Sequence, residues 1–283
     1  MEWLIPSPLK INLTLRITGK RTDGLHELLS IFKRIDGHGS ITVRISPGST
    51  VDLVRVYNYP ITGKNILFHA LDHLRSRGFP ETPLEIGINK SVPPGTGLGA
   101  GSGEASALIA WARFFTGSEM LEGEETIIGA DVPFLCSGMR LAFASGTGEK
   151  LEESRHEVPA SGCVIVPAWR SGTAEAYHSV DERLKGKWIT EPEARKEAER
   201  YLSAVSEGER VGLMPNDFVP GLLAEHEEYD HIFKMLETTK ALAWGISGSG
   251  SSIFALFGED VEKQRFAAKI TEASDIERIL FWE

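Results

Sequence analysis

The chain has 283 residues, 41% of them hydrophobic and 25% charged, which suits a globular protein of one large or two moderate domains with a substantial buried core. Its formal charge of −10 argues against a general polyanion binder such as a nucleic-acid protein, although an acidic chain can still build a local positive pocket. No apolar run reaches the roughly 18 residues of a membrane span, the two cysteines Cys136 and Cys163 form no disulfide framework, and no Cys/His set has zinc spacing, so a cytoplasmic protein without a membrane partner is expected.

Periodicity predicts strands near 10–17, 27–35, 40–46 and 51–56, a helix over 64–77, a strand over 84–89 and a helix over 102–115. Further along, a strand is expected over 139–145, then the apolar Cys163–Val166, polar helices between 172 and 206, and a helical stretch over 217–240. Strands near 242–247 and 252–257, a helix over 260–271 and a last strand near 278–282 complete the chain. Without strict βαβ alternation the class is α+β rather than a doubly wound sheet. The charged stretch 146–155 is the natural boundary, giving domains 1–155 and 156–283, and there is no repeat or low-complexity tract.

The most informative stretch is Pro93 to Gly103, a glycine-rich loop running into the helix that begins near Ser102. Glycines take positive φ and let backbone amides approach an anion, while the helix N-terminus adds unpaired N–H groups and a positive dipole end, so the loop is suited to phosphate. A P-loop is excluded because no Gly-Lys-Ser/Thr follows. Gly95 to Ala100 does fit the dinucleotide fingerprint G-x-G-x-x-G/A, with Glu119 suitably downstream, but that fingerprint needs a buried strand running directly into the first glycine. Here Pro93 and Pro94 interrupt strand pairing, and Leu84 to Lys90 alternates like a half-exposed strand.

The remaining pattern, P-x-G-x-G-L-G-x-G-S, resembles that of the GHMP kinase superfamily and, within it, the 4-diphosphocytidyl-2-C-methyl-D-erythritol kinase family of the non-mevalonate isoprenoid pathway. Other stretches carry the resemblance in the family's order: Ser7 to Leu13, Arg21 to Glu27, Asn65 to Leu67, Gly129 to Phe134, Asn216 to Phe218 and Ile246 to Gly250. The resemblance implies a two-domain fold, a ribosomal protein S5-like N-terminal domain and a ferredoxin-like C-terminal domain, with ATP and Mg²⁺ as cofactors and a small alcohol as phosphoryl acceptor. The oligomeric state is left open.

It also implies roles. Asp131 would take the proton from the acceptor hydroxyl, with Lys10 beside it holding the carboxylate ionised and stabilising charge on the phosphoryl group. The plainer alternatives are a helix N-cap for Asp131 and a strand-end surface lysine for Lys10. Asn65, Ile66 and Lys90 match positions lining the adenine pocket, and Pro94, Gly95, Thr96, Gly97, Leu98, Gly99, Ala100, Gly101, Ser102 and Gly103 surround the phosphates. Ser102 suits a helix N-cap and equally a phosphate or Mg²⁺ contact. Asn12, His26, Tyr177, Gly248 and Ser249 match substrate positions, with His26 at a cytosine edge and Tyr177 as a stacking aromatic. His26 and Tyr177 are expected to face each other across a slot.

Two departures stand out. Leu25 occupies the position where the family has an aromatic beside the histidine, which weakens the expectation of a cytidyl substrate and keeps open a GHMP-type kinase for another small alcohol. Ser102-Gly103-Glu104 replaces Ser-Ser-Asn, and Glu104 is either a first-turn acid favourable to the helix dipole or a Mg²⁺ ligand. Together they also keep open a nucleotide-binding, kinase-like protein with little transferase activity. His69 and His73, four apart on one helix, have a spacing that can bind metal, but without a third ligand they read as a solvated or interfacial face.

Overall fold

A computed structural model of the chain describes residues 1–60, 63–119, 121–159, 161–273 and 275–282. Two compact units are each assembled from separate stretches: the first from Met1–Lys10, Arg34–Pro94 and Gly99–Met139, the second from Ile11–Lys33, Gly95–Leu98 and everything from Arg140 onward. Strands β1 (Glu2–Lys20) and β2 (His26–Ile45) pair with each other, and each contributes residues to both units. The two strands expected over 27–35 and 40–46 are thus one. The polar Asp36-Gly37-His38-Gly39 breaks the apolar alternation, but Gly37, at φ 86°, accommodates the change without ending the strand.

In the first unit, the second half of β2 pairs antiparallel with β4 (Leu84–Asn89), from Ser40 opposite Asn89 to Ile45 opposite Leu84, and β4 pairs in parallel with β3 (Leu53–Val56). Helix α1 (Ile66–Ser76) joins β3 to β4 and is capped by the Asn65 side chain, which accepts from the Leu67 N–H at 2.9 Å. Its buried face is Leu67, Ala70, Leu71 and Leu74, the spacing of one helical side. That face packs in one core with Ile41, Val43, Ile86, Ile88, Leu108 and Trp111, the last two from α2 (Ala100–Thr116). A 3₁₀ turn at Glu125–Ile127 leads to the short α3 (Val132–Ser137).

In the second unit, the first half of β2 pairs with β5 (Leu141–Gly146), which turns back into β6 (Lys150–Glu153). The charged stretch read as a boundary is therefore in part a hairpin, its turn containing Gly146 and Gly148 at positive φ. A second sheet runs β11-β7-β10-β9-β8: β11 (Ile276–Trp282), β7 (Gly162–Pro167), β10 (Ile253–Phe257), β9 (Ala241–Ile246) and β8 (Gly212–Leu213). Every residue of β7 and β10 is buried. The helices are α4 (Thr173–Leu184), α5 (Glu191–Ser206), α6 (Val219–Glu225), α7 (Glu228–Glu237) and α8 (Asp260–Ala273). Helix α5 carries a full capping box between Thr190 and Glu193. The class is α+β, as the element pattern predicts, and among the described residues no helix is long and apolar enough to cross a membrane.

Candidate active site

In the first unit several of the candidate residues gather at the N-terminus of α2. Gly99 turns the chain into the helix with φ 63° and ψ 27°, and the first helical bond is Gly103 N–H to Gly99 C=O at 2.9 Å. Helix geometry leaves the first-turn N–H groups without partners inside the helix, and Gly99 has no side chain to cap them. Helix α2 therefore begins two residues earlier than periodicity suggests. Ser102 is not its N-cap but lies half-buried within the first turn.

Lys10 and Asp131 meet beside this terminus. The ammonium is 3.4 Å from Asp131 Oδ1, with the lysine side chain 8% and the aspartate 25% exposed. Asp131 directly precedes α3 yet makes no side-chain cap to it, so the capping alternative fails. A Cβ on Gly99 would lie 3.1 Å from Asp131 Oδ2 and 3.3 Å from Lys10 Cγ, which measures how closely the helix start is applied to the pair. At Gly103 the fit is tighter still, since a Cβ there would come within 1.8 Å of the Pro8 carbonyl oxygen. Only glycine lets β1 and α2 approach at that point.

Asn65 and Ile66 flank the same terminus. Ile66 Cγ2 would be 3.6 Å from a Cβ on Gly101, and Ser102 Oγ 3.7 Å from one on Gly129. Asn65 is buried, and its Nδ2 has no hydrogen-bond partner among the described residues. Lys90 and Glu104 meet each other. Glu104 lies beyond the first turn of α2 and its carboxylate meets the Lys90 ammonium at 2.5 Å, both side chains being at most 4% exposed. Burial pushes the Glu104 carboxyl above its ordinary range, and Lys90 opposes that rise. The helical position of Glu104 places it outside the first turn, where an acid would favour the dipole, and its carboxylate is engaged by Lys90.

In the second unit, Gly95–Leu98 is gripped by the turn after β9. A Cβ on Gly97, at φ 73°, would lie 2.2 Å from Ser247 O and 2.6 Å from Gly250 O. Ser247 Oγ donates to Gly97 O at 2.9 Å and accepts from Asn12 N at 3.1 Å, while Ser252 N donates to Thr96 O at 3.1 Å. Leu98 is buried, whereas Pro94 and Gly95 are exposed. Asn216 Nδ2 donates to the carbonyls of Ile246 and Gly248, each at 2.9 Å, and so holds the turn's backbone. Gly248 packs against Asn12, whose Nδ2 donates to Ser30 Oγ at 2.8 Å, and Ser249 Oγ is 3.2 Å from Thr173 Oγ1.

Elsewhere in this unit His26 and Tyr177 do come together, but without a slot. Their rings stack with centroids 4.6 Å apart at 26°, and the Trp188 ring stands nearly perpendicular to that of His26, at 87° with centroids 6.0 Å apart. His26 Nε2 is 2.7 Å from Asp181 Oδ1, and Lys20 Nζ is 2.5 Å from the other carboxylate oxygen. Leu25 is 54% exposed. Lys20, Asp181 and Trp188 were not singled out from the sequence. Asp181 stands four residues after Tyr177 on α4, a one-turn spacing that would have flagged it once Tyr177 was chosen.

Comparisons with known proteins agree on one family. The family described as GHMP kinases C terminal matches residues 210–275. The 4-diphosphocytidyl-2-C-methyl-D-erythritol kinase of Solibacter usitatus is 32% identical over 259 residues, covering 88% of this chain and 79% of that protein. The kinase of the same name from Chlorobium phaeobacteroides is 29% identical over 280 residues, covering 93% and 94%. A crystal structure of 4-(cytidine 5'-diphospho)-2C-methyl-D-erythritol kinase shares the fold with a TM-score of 0.78 at 24% identity, covering 100% of this chain and 98% of that one.

Proposed function

The chain belongs to the GHMP kinases, in the 4-diphosphocytidyl-2-C-methyl-D-erythritol kinase family, and we propose that it transfers the terminal phosphoryl group of ATP to the 2-hydroxyl of 4-diphosphocytidyl-2-C-methyl-D-erythritol. The observation that carries this reading is the Lys10–Asp131 ion pair, 3.4 Å across and set at the uncapped N-terminus of α2. Phosphoryl transfer through a loose transition state asks mainly for positioning and compensation of charge, so few reactive groups are needed.

Asp131 accepts the proton of the attacking hydroxyl. Lys10 keeps that carboxylate ionised and supplies positive charge toward the transferred group. The amides of Gly95 to Gly103 and the dipole of α2 hold the phosphates, and Asn65 and Ile66 contact the adenine. The buried Nδ2 of Asn65, without a partner among the described residues, supports a donor role there. Asn12, His26, Tyr177, Gly248 and Ser249 are assigned to the acceptor. When bound with ATP, Mg²⁺ would spread the charge of the triphosphate. Ser102 fits such an ion with its hydroxyl, whereas Glu104, buried against Lys90, does not. The protein acts in the cytoplasm, on small molecules rather than on nucleic acid or membrane.

A second reading, a kinase of the same fold for another small alcohol, is favoured by the exposed Leu25 and by the closure of His26 on Tyr177. The intact Lys10–Asp131 pair speaks against a nucleotide-binding protein that no longer transfers phosphate. Release of ADP with the cytidyl alcohol and a set of small alcohols separates the three. Release with the cytidyl alcohol, with the new phosphate on the 2-hydroxyl by phosphorus NMR, is expected. Release only with another alcohol selects the second reading, and release with none overturns both.

A further inference from the structure

Helix α1 carries two histidines on the side opposite its buried Leu67, Ala70, Leu71 and Leu74 face. His69 is exposed and His73 half-buried. Their rings meet at 72° with centroids 4.7 Å apart, and the two Nε2 atoms lie 3.1 Å from each other. With no ion present, that contact is an imidazole hydrogen bond in which one Nε2 carries the proton. The same separation is also the bite of a chelate. Imidazole nitrogens bind borderline divalent ions at about 2.0–2.1 Å, and two such bonds from atoms 3.1 Å apart enclose about 100° at the metal. This angle lies between the octahedral and tetrahedral values, so an ion would enter with little change of rotamer.

We propose that His69 and His73 form an exposed bidentate site for a borderline divalent transition ion such as Ni²⁺, Cu²⁺ or Zn²⁺, distinct from the Mg²⁺ that accompanies ATP. On binding, the ring that carried its proton on Nε2 exchanges it through solvent to Nδ1, so that both neutral rings present an Nε2 lone pair to the ion and keep one N–H each. Hard ions such as Mg²⁺ prefer oxygen and are not held. Among the described residues no group of three or more His, Cys, Asp or Glu converges on an ion, so water fills the remaining positions and exchange is fast. The nearest carboxylate in sequence, Asp72, is 3.3 Å from Lys64. The chelate bridges one turn of α1, beginning three residues after Ile66. Bound metal therefore stabilises the folded state by linkage.

Titration of the full chain with Ni²⁺ by calorimetry tests this, with Mg²⁺ as the contrasting ion. The expected result is a site for Ni²⁺ and none for Mg²⁺, weakened by about tenfold or more in His69→Ala and in His73→Ala, with a metal-dependent rise in melting temperature that both variants lose. Both variants should melt like the wild type without metal, since the side chains lie off the core. Broadening of the His69 and His73 imidazole signals of the wild type by Ni²⁺ locates the ion without any substitution. Because the chain has eight histidines, Ni²⁺ binding that survives both substitutions or broadens other imidazoles instead would overturn the assignment, as would no binding at millimolar metal.

Discussion

The Lys90 ammonium and the Glu104 carboxylate are sealed together inside the first unit, 2.5 Å apart with side chains 4% and 3% exposed. Taking both charges out of water is costly, and each makes the other's burial tolerable. Glu104→Leu or Lys90→Met alone should cost about 3–5 kcal/mol by leaving a buried charge unpaired, and the two together should restore much of it. Urea unfolding of the two single variants and the double variant gives the coupling. Near-additive losses would mean that the pair is not a unit.

Asp131→Asn removes the proton acceptor but leaves the α2 terminus in place. Turnover should fall by about 10²–10⁴, while ATP affinity stays within a few-fold. Coupled ADP release and calorimetry measure the two separately. Near wild-type turnover would take Asp131 out of the mechanism.

Three glycines of the loop should respond differently. Gly95 is at φ 76°, and a methyl placed on it would meet nothing nearer than 3.9 Å, so Gly95→Ala should cost only backbone strain, about 1 kcal/mol. Gly97→Val drives a branched side chain into the Ser247 and Gly250 carbonyls and should destroy nucleotide binding. At Gly99 an alanine methyl meets Lys10 and Asp131, so Gly99→Ala should lower kcat more than it raises the Kd for ATP. Melting curves, calorimetry and turnover on the three variants check the ranking.

His26 is oriented by Asp181 at 2.7 Å and by the ring of Tyr177. If this cluster serves the acceptor, Tyr177→Ala should weaken acceptor binding by about 1–3 kcal/mol, and Asp181→Asn should raise KM with kcat largely kept. An unchanged KM for both variants would remove the cluster from the acceptor site.

Asp52 gives the fold an acid-sensitive element. Burial alone would raise its carboxyl, but the bonds from Arg75 and from the Leu84 N–H outweigh burial and hold it below the ordinary 3.8. Because the folded value is depressed, the stabilisation is fully present above about pH 4 and is lost as the pH falls through the folded value. Denaturation midpoints taken from pH 6 down to pH 2 should drop less steeply at the acid end in Asp52→Asn than in the wild type.

Contiguous stretches were legible from residue order alone. The glycine loop, the helix over 64–77 and the mixed α+β class follow from local sterics and from the alternation of wetted and buried positions, which neighbouring residues carry between them. The Lys10–Asp131 partnership is implied by the family resemblance that several motifs carry, and the structure adds its 3.4 Å geometry. Only tertiary packing decided that Glu104 turns to Lys90, that His26 closes on Tyr177 and Asp181, and that Ser247 clasps Gly97 across 150 positions of chain. Periodicity assigns a side chain to a face without naming what lies opposite. A buried charge or a polar edge is fixed by whichever partner the fold brings within hydrogen-bond reach, and residue order does not contain that distance.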